Sequence, residues 1–249
     1  MKTQPAVCAT VDVEDFAEGM GVLGHEVARS DGSAEAGLAD LLERLGSMKT
    51  GPKVTLFVVG GRAASLRQVL QSFADAGHEI ASHGPDHGRL PADDVVGWLR
   101  RGRDMLEQLL QLPVRGFRSP RFEVPGGELA QYRDALAKAG YSYVSDVSRL
   151  GRQSAVRELP VLRWHGVSVG GGSYQRFLPA AVVEAAVRHS HGPAVLYYHS
   201  YDFDGTLPRL ASARSLSVLK QLVARPRITT RFLQLVTEFG SETCIDVAR

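Results

Sequence analysis

Short apolar segments alternate with helix-type segments along this 249-residue chain, and the alternation constrains the fold more than any other feature. The segments at residues 6–11 and 53–61 are rich in β-branched residues and almost continuously apolar, as in strands that are buried on both faces. Between such segments the apolar residues recur at helical spacing, as they do at residues 93–112. Strands separated by helices at intervals of roughly 25–35 residues predict parallel βαβ units and therefore an α/β fold.

The same patterns predict the remaining elements. Further strands are expected at residues 78–82, 114–118, 141–145 and 193–199, and further helices at residues 38–45, 63–76, 128–139, 180–189, 216–224 and 230–239. Residues 148–172 are less regular and predict a peripheral β-hairpin. Because no Pro-, Gly- or Ser-rich linker divides the chain, residues 1–249 are predicted to form a single domain.

Charge and hydropathy argue against two classes of partner. The chain has 29 basic and 27 acidic residues, a net charge of +2, and no long run of Lys or Arg, so binding to nucleic acid through bulk electrostatics is not expected. No stretch approaches the roughly 18 apolar residues that indicate a membrane helix, so membrane insertion is not expected. No signal peptide is recognisable, and a cytoplasmic location is expected. Cys8 and Cys244 are then free thiols rather than a disulfide, and the oligomeric state is left undetermined.

Titratable residues lie where the predicted strands end. An acidic group follows the first strand, two histidines four residues apart follow the third, and an arginine, an aspartate and a histidine close three later strands. In barrels and open α/β sheets, ligands bind at the carboxyl ends of the strands. These candidate site residues are Asp12, Glu14, Asp15, His83, His87, Arg118, Asp146 and His199.

Each of these residues has an ordinary structural interpretation when it is taken alone. An H-x3-H pair arises by chance, acids favour helix starts, and a single buried Arg or His is more often a packing residue. The set as a whole is nevertheless chemically complete. A catalytic zinc ion takes three protein ligands from His and carboxylate side chains and keeps one position open. The sequence offers two imidazoles and an acid, with a second acid, a third histidine and an arginine to spare.

Five motifs then resemble, in their order, those of the NodB-like polysaccharide deacetylases, carbohydrate esterase family four. They are TVDVEDF (10–16), SHGPDH (82–87), FRSPRF (117–122), SDVS (145–148) and LYYHSYDFD (196–204). The DVED form and the segment GGGSYQRFLP (170–179) resemble the exopolysaccharide-associated subgroup. The resemblance implies the NodB-homology fold, a distorted (β/α)7-type barrel. It also implies hydrolysis of the acetamide of an N-acetylated amino sugar, in a polysaccharide, glycolipid or glycoside precursor, with release of acetate.

The resemblance implies one divalent metal ion and a set of ligands for it. His83 and His87 would be the imidazole ligands, and Glu14 or Asp15 would be the carboxylate ligand. Glu14 is favoured because a residue two positions after Asp12 lies on the same face if the strand persists. Zn²⁺ is expected, with Co²⁺, Ni²⁺, Fe²⁺ or Mn²⁺ as alternatives.

The resemblance also implies catalytic roles for the other residues. Asp12 would be the general base, and Arg118 would keep it ionised. His199 would be the general acid, and Asp146 would orient or charge it. A backbone N–H from residues 118–122 would hold the oxyanion. Four further side chains are expected to line the substrate pocket: Pro120, Phe122, Trp164 and Tyr201.

Departures from the family pattern leave the substrate open. Gly84 stands where the family usually has Ser or Thr, and Leu150 stands where it usually has Trp. Two other functions therefore remain: an amidohydrolase acting on a non-sugar amide of the cyclic ureide or imide type, and a catalytically inactive carbohydrate-binding relative.

Overall fold

The structure is a computed structural model that describes residues 5–22, 33–91, 93–123, 129–146, 155–205 and 223–249. The chain divides into two compact units, each of which is built from two separate segments. The first unit contains Met1–Lys53 and Leu162–Glu242, and the second contains Val54–Val161 and Thr243–Arg249. Most of the predicted helix at 216–224 lies outside the described residues, and so does Leu150.

The first unit is built around two parallel strands. Strand β1 (Val7–Val13) is buried along its whole length and pairs in parallel with β7 (Ala194–His199), so that Asp12 lies opposite His199. The described residues of this unit also form the helices α1 (Phe16–Val22), α2 (Ser33–Ser47), α7 (Gly172–Gln175), α8 (Ala180–Arg188) and α9 (Pro226–Phe239). A 3-10 turn, Ser200–Asp202, follows β7 directly.

Apolar periodicity explains how α2 packs in the first unit. Helix α2 buries Leu38, Leu41 and Leu45, the stripe that its sequence spacing predicts. It approaches the Ser200–Asp202 turn so closely that a Cβ on Gly37 would lie 2.0 Å from the Ser200 carbonyl oxygen. Only glycine therefore allows the helix to pack against this turn, and the turn carries part of the site described below.

The second unit contains five strands in the order β6-β5-β4-β3-β2, and every pair is parallel. They are β2 (Val54–Val58), β3 (Glu79–Ser82), β4 (Gly116–Phe117), β5 (Tyr143–Val144) and β6 (Arg157–Glu158). The helices are α3 (Gly60–Ala63), α4 (Arg67–Asp75), α5 (Val95–Leu110), α6 (Leu129–Ala139) and α10 (Cys244–Ala248). A 3-10 turn, Pro120–Phe122, follows β4.

Local signals set the limits of the helices in the second unit. The Asp94 carboxylate accepts a 2.9 Å hydrogen bond from the Gly97 N–H at the start of α5, and Gln111 ends the helix in the left-handed conformation. At the amino ends of the strands, Glu79 accepts hydrogen bonds from the Thr55 and Tyr143 hydroxyls. One carboxylate thus joins β2, β3 and β5.

The sequence predicts most of these elements and misreads three regions. The helix expected at 63–76 is two helices, α3 and α4, separated by a turn. A β-hairpin is predicted within residues 148–172, but β6 is not part of one, because it pairs in parallel with β5. What is antiparallel there is a tight turn, in which Trp164 and Val167 exchange backbone hydrogen bonds. Helix α1, which contains two glycines, is not predicted by the sequence pattern.

Candidate active site

Three candidate residues meet at the carboxyl ends of β1 and β7 in the first unit. The parallel register places Asp12 opposite His199, and Glu14 follows directly after the end of β1. One ligand atom from each of Asp12, Glu14 and His199 lies within 4.8 Å of the other two. Both carboxylates are buried. Two carboxylates and an imidazole are a donor set that divalent zinc accepts.

The neighbouring acids Glu14 and Asp15 have different surroundings. The Ser200 hydroxyl accepts from the Glu14 N–H at 3.0 Å and donates to the Glu14 carbonyl at 2.6 Å, which fixes the backbone there. The Asp15 carboxylate instead accepts from the Ser33 hydroxyl and from the Ala34 N–H, where α2 begins. Asp15 is thus a helix-capping residue, and the surroundings favour Glu14 as the metal-binding carboxylate.

The His199 ring is held on several sides. It stacks on the Tyr201 ring at a centroid distance of 4.8 Å and an angle of 6°, and the Tyr197 ring meets it edge-on at 5.9 Å. Burial alone would lower the pKa of His199. Asp202 and the charges of Glu14 and Asp12 outweigh burial and raise that pKa to about 9. The acidic surroundings of His199 thus favour the protonated imidazole, the form that a general acid uses.

Asp202 is the carboxylate that the structure places against His199. It accepts a 3.0 Å hydrogen bond from the backbone N–H of His199, and its Oδ2 lies 3.5 Å from Nδ1 of the His199 ring. Its other oxygen pairs with the Arg176 guanidinium at 3.1 Å, and both side chains are almost completely buried. Burial opposes ionisation, but His199 and Arg176 hold the pKa of the Asp202 carboxyl below its ordinary value.

The second unit brings His83 and His87 together after β3. Their ring centroids are 5.6 Å apart, with His83 buried and His87 half-buried. His83 Nδ1 lies 2.9 Å from the Arg118 carbonyl oxygen, which can only accept a hydrogen bond. This contact assigns the proton to Nδ1 and leaves the lone pair on Nε2, the arrangement of a metal-ligating histidine.

Gly84 explains the first departure from the family pattern. Its φ is +84°, and a Cβ there would lie 2.3 Å from Cη2 of Trp98. The left-handed backbone and the Trp98 ring both exclude a side chain. The serine or threonine that the family usually has next to the first histidine therefore has no room in this chain.

Arg118 and Asp146 are both buried in the second unit. The Arg118 guanidinium donates to the Ser145 carbonyl and hydroxyl at 2.9 and 2.8 Å, and it lies 4.1 Å over the Phe57 ring. Asp146 accepts from the Ser119 N–H and hydroxyl at 3.0 and 2.6 Å, and from the Tyr132 hydroxyl at 3.1 Å. Burial raises the pKa of Asp146 in spite of these bonds. Its expected action on His199 stays a prediction.

The four residues expected to bind substrate lie in different surroundings. Pro120 is buried, and Phe122 is half-buried with its ring 5.4 Å from the Arg118 guanidinium carbon. Trp164 is half-buried in its turn, next to the His165 ring. Only 3% of Tyr201 is exposed, because its ring stacks on His199 and meets Phe16 edge-on. Their roles toward substrate stay predictions.

The turn after β4 offers one candidate donor for an oxyanion. The N–H groups of Arg118, Ser119 and Phe122 donate to Ser82, Asp146 and Ser119 respectively. Pro120 has no N–H, and the Arg121 N–H has no acceptor among the described residues. Arg121 adopts φ +59°, a strained conformation for a residue other than glycine.

Sequence reasoning missed Asp202 and Arg176. Both lie within the motifs that carry the family resemblance, but the motifs alone assign neither residue a role. The available signal was the spacing of His199 and Asp202. Three residues on a 3-10 turn bring two side chains to the same side.

Two family models cover most of the chain. Residues 38–144 match the model for polysaccharide deacetylases, and residues 139–249 match a domain of unknown function, DUF3473. These matches support the polysaccharide deacetylase family. A search of curated proteins gave no match.

Solved structures agree on the fold. A provisionally assigned polysaccharide deacetylase from Mycobacterium smegmatis is 23% identical, with 98% of this chain and 95% of that chain covered and a TM-score of 0.61. The PuuE allantoinase is 15% identical over 100% and 91% of the two chains, with a TM-score of 0.64. A pseudoenzyme of the CE4 family from Bacillus anthracis is 14% identical over 100% and 67%, with a TM-score of 0.55. The predicted NodB-like α/β fold is confirmed, and the described residues contain seven strands, two in the first unit and five in the second, that pair in parallel within each unit.

Other predictions have a narrower outcome. Within the described part of the chain, none of the helices combines the length and the apolar character that crossing a bilayer requires. Cys8 and Cys244, which both lie in the described part of the chain, are buried and form no disulfide, as the sequence predicts. The DVED subgroup, the cytoplasmic location and the single domain stay predictions.

Proposed function

We propose that this chain is a divalent-metal-dependent N-deacetylase that hydrolyses the acetamide of an N-acetylated sugar and releases acetate. The observation that carries the proposal is the meeting of Asp12, Glu14 and His199 at the ends of two paired strands. Two carboxylates and an imidazole in one place can supply the base, the metal ligand and the acid that amide hydrolysis needs. A glycan surface that only binds would have no use for them.

The metal ligands that we propose are one carboxylate and two imidazoles, a set of donors that a divalent ion accepts. Glu14 is proposed as the carboxylate ligand, because its backbone is fixed by Ser200 while Asp15 caps α2. His83 and His87 are proposed as imidazole ligands on the family resemblance, and the tautomer of His83 supports that role. When bound, the metal would polarise the amide carbonyl and lower the pKa of a water molecule.

The residues of the chain then move the protons. Asp12 takes a proton from the water that attacks the carbonyl carbon. The Arg121 N–H is the proposed backbone donor to the oxygen that becomes negative. His199 gives its proton to the sugar nitrogen as the C–N bond breaks, so that the electron pair stays on nitrogen and the amine leaves neutral.

Hydrolysis of a cyclic ureide is the second candidate. The likeness that favours it is to the PuuE allantoinase, whose TM-score of 0.64 exceeds that of the M. smegmatis protein. The same base and acid would serve a ring-opening reaction, so the substrate pocket has to decide. The likeness to a CE4 pseudoenzyme, a mutant of which has restored activity, keeps an inactive relative as the third candidate.

The deciding experiment is a parallel assay of purified protein with Zn²⁺, Co²⁺, Ni²⁺, Fe²⁺ and Mn²⁺. Acetate release is measured from N-acetylglucosamine, its oligomers and small N-acetylated glycosides, and ring opening is measured with allantoin. We expect metal-dependent acetate release and no ring opening. Ring opening without acetate would replace the proposal with the second candidate, and failure of both reactions in protein that binds no metal would favour the third.

Variants test the roles directly. His83→Ala is expected to abolish both bound metal and activity, because a site with three protein ligands cannot lose one. The exposed His191→Ala is the matched control and should retain both. Asp12→Asn is expected to keep the metal and lose most turnover. Loss of the metal in Asp12→Asn would show that the base and the ligand have been exchanged.

A further inference from the structure

The position of Asp202 relative to His199 has a bearing on catalysis. Its Oδ2 accepts a hydrogen bond from the backbone N–H of His199 and lies 3.5 Å from Nδ1 of the imidazole ring of the same residue. That separation is too long for a hydrogen bond, but contacts of this kind are often long before substrate binds. A small rotation of the imidazole would turn it into an Nδ1–H to carboxylate bond.

The carboxylate of Asp202 is itself fixed. Arg176 donates to Oδ1 at 3.1 Å, and none of the Asp202 side chain is exposed to solvent. Arg176 follows Gln175, whose side-chain oxygen accepts from the Tyr198 hydroxyl at 2.8 Å and whose amide donates to the Gly170 carbonyl. The segment that carries Arg176 is thus tied to β7, the strand that ends at His199.

The imidazole has little freedom to turn away from this carboxylate. The Tyr201 ring lies flat against one face, and the Tyr197 ring stands edge-on to it. Asp146, the residue that the family resemblance implies for this task, accepts three hydrogen bonds from Ser119 and Tyr132. Asp202, in contrast, accepts from the backbone N–H of His199 and has a carboxylate oxygen 3.5 Å from the Nδ1 atom of the ring.

We propose that Asp202, anchored by Arg176, is the positioning residue that directs Nδ1 of His199 inward and so leaves Nε2–H to the leaving amine. The inference rests on the proposed function, in which His199 protonates that amine. Asp202 remains ionised throughout and moves no proton itself. Its contribution is the orientation of the ring.

A double-mutant cycle tests the inference. Asp202→Asn should lower kcat for amide hydrolysis by at least about 10²-fold with little change in KM, because general acid catalysis contributes that much. In a His199→Ala background, the same substitution should lower the residual rate by less than about threefold, since the group it positions is already absent. Equal losses in both backgrounds would overturn the inference.

The leaving group supplies a second readout that a purely structural role would not give. The 4-nitrophenolate ion leaves 4-nitrophenyl acetate without a proton, so an acid is of little use in that reaction. The ratio of amide to ester hydrolysis should therefore fall by about 10²-fold in Asp202→Asn and in His199→Ala alike. An unchanged ratio would contradict the proposal.

Two controls address a loss of stability in Asp202→Asn and the case in which the proposed function itself is wrong. Asp202→Asn leaves Arg176 buried beside a neutral partner, so the double variant Asp202→Asn, Arg176→Met removes both charges together and should show the same loss of kcat. If the wild-type protein hydrolyses no amide, the ¹⁵N resonances of His199 still report the orientation. The Nδ1 resonance should shift in Asp202→Asn and not in Asp146→Asn, and the reverse pattern would sink the inference.

Discussion

A side chain at Gly84 should destabilise the protein, although the resembling family usually has one there. The test is Gly84→Ser. An L-residue in the left-handed conformation costs about 1–2 kcal/mol, and forcing a Cβ against a packed ring costs about 1–3 kcal/mol more. The Cβ would lie 2.3 Å from Trp98 at a φ of +84°. Together these costs give about 2–5 kcal/mol, or a melting temperature lowered by about 4–20 °C for a chain of this size.

Gly166→Ser is the matched control. Gly166 has a φ of +81°, but nothing lies within 4 Å of the Cβ that would be added. This variant should therefore show the backbone cost alone, about 1–2 kcal/mol. Thermal melting followed by circular dichroism measures both variants. If Gly84→Ser melts no lower than Gly166→Ser, the contact with Trp98 does not exclude the side chain, and the explanation of the family departure fails. Adding Trp98→Phe to Gly84→Ser should recover part of the loss.

Two further predictions concern carboxylates outside the proposed proton transfers. Asp15→Ala should lower the free energy of unfolding by about 0.5–2 kcal/mol and leave the bound metal unchanged, whereas Glu14→Ala should release the metal. The metal content of both variants is measured by mass spectrometry. Release of the metal by Asp15→Ala would reverse the assignment of the carboxylate ligand. Burial raises the pKa of Glu79 in the folded protein above its ordinary 4.5, so the stability that this group contributes is complete below pH 4.5 and is lost as pH rises through the folded-state pKa. Each tenfold difference in the acid dissociation constant of Glu79 between the unfolded and folded protein corresponds to about 1.4 kcal/mol of that stability. Glu79→Gln should remove this pH dependence from urea titrations measured between pH 4 and 8, and a slope that persists in the variant would assign it to another group.

The sequence predicts long, periodic elements well because their evidence is local. Helix α5 has its apolar stripe and its Asp94 cap written within one segment. Helix α1 could not be predicted in the same way, since a seven-residue stretch with two glycines has little intrinsic helix preference. The exclusion of a side chain at Gly84 depends on the ring of Trp98 in the next helix, and no local sequence pattern shows that contact.

The candidate site shows the same division between local and tertiary information. Asp12, His83, His87 and His199 were found because they stand at strand ends, an address that the strand pattern supplies. The separate tasks of Glu14 and Asp15 were not predictable, because Ser33 and Ala34 reach Asp15 only through the packing of α2. The partnership of Asp202 with Arg176 joins residues 26 positions apart and emerges only from the folded chain.

The main chain and the side chain of Arg118 have different partners. The main chain of Arg118 sets the tautomer of the imidazole, while its guanidinium serves Ser145 and the Phe57 face. Since every amino acid carries the same carbonyl, substitution at position 118 leaves the acceptor for His83 in place. Substitution of Arg118 therefore tests the role of its side chain. The tautomer of His83 should be unaffected by which amino acid occupies position 118.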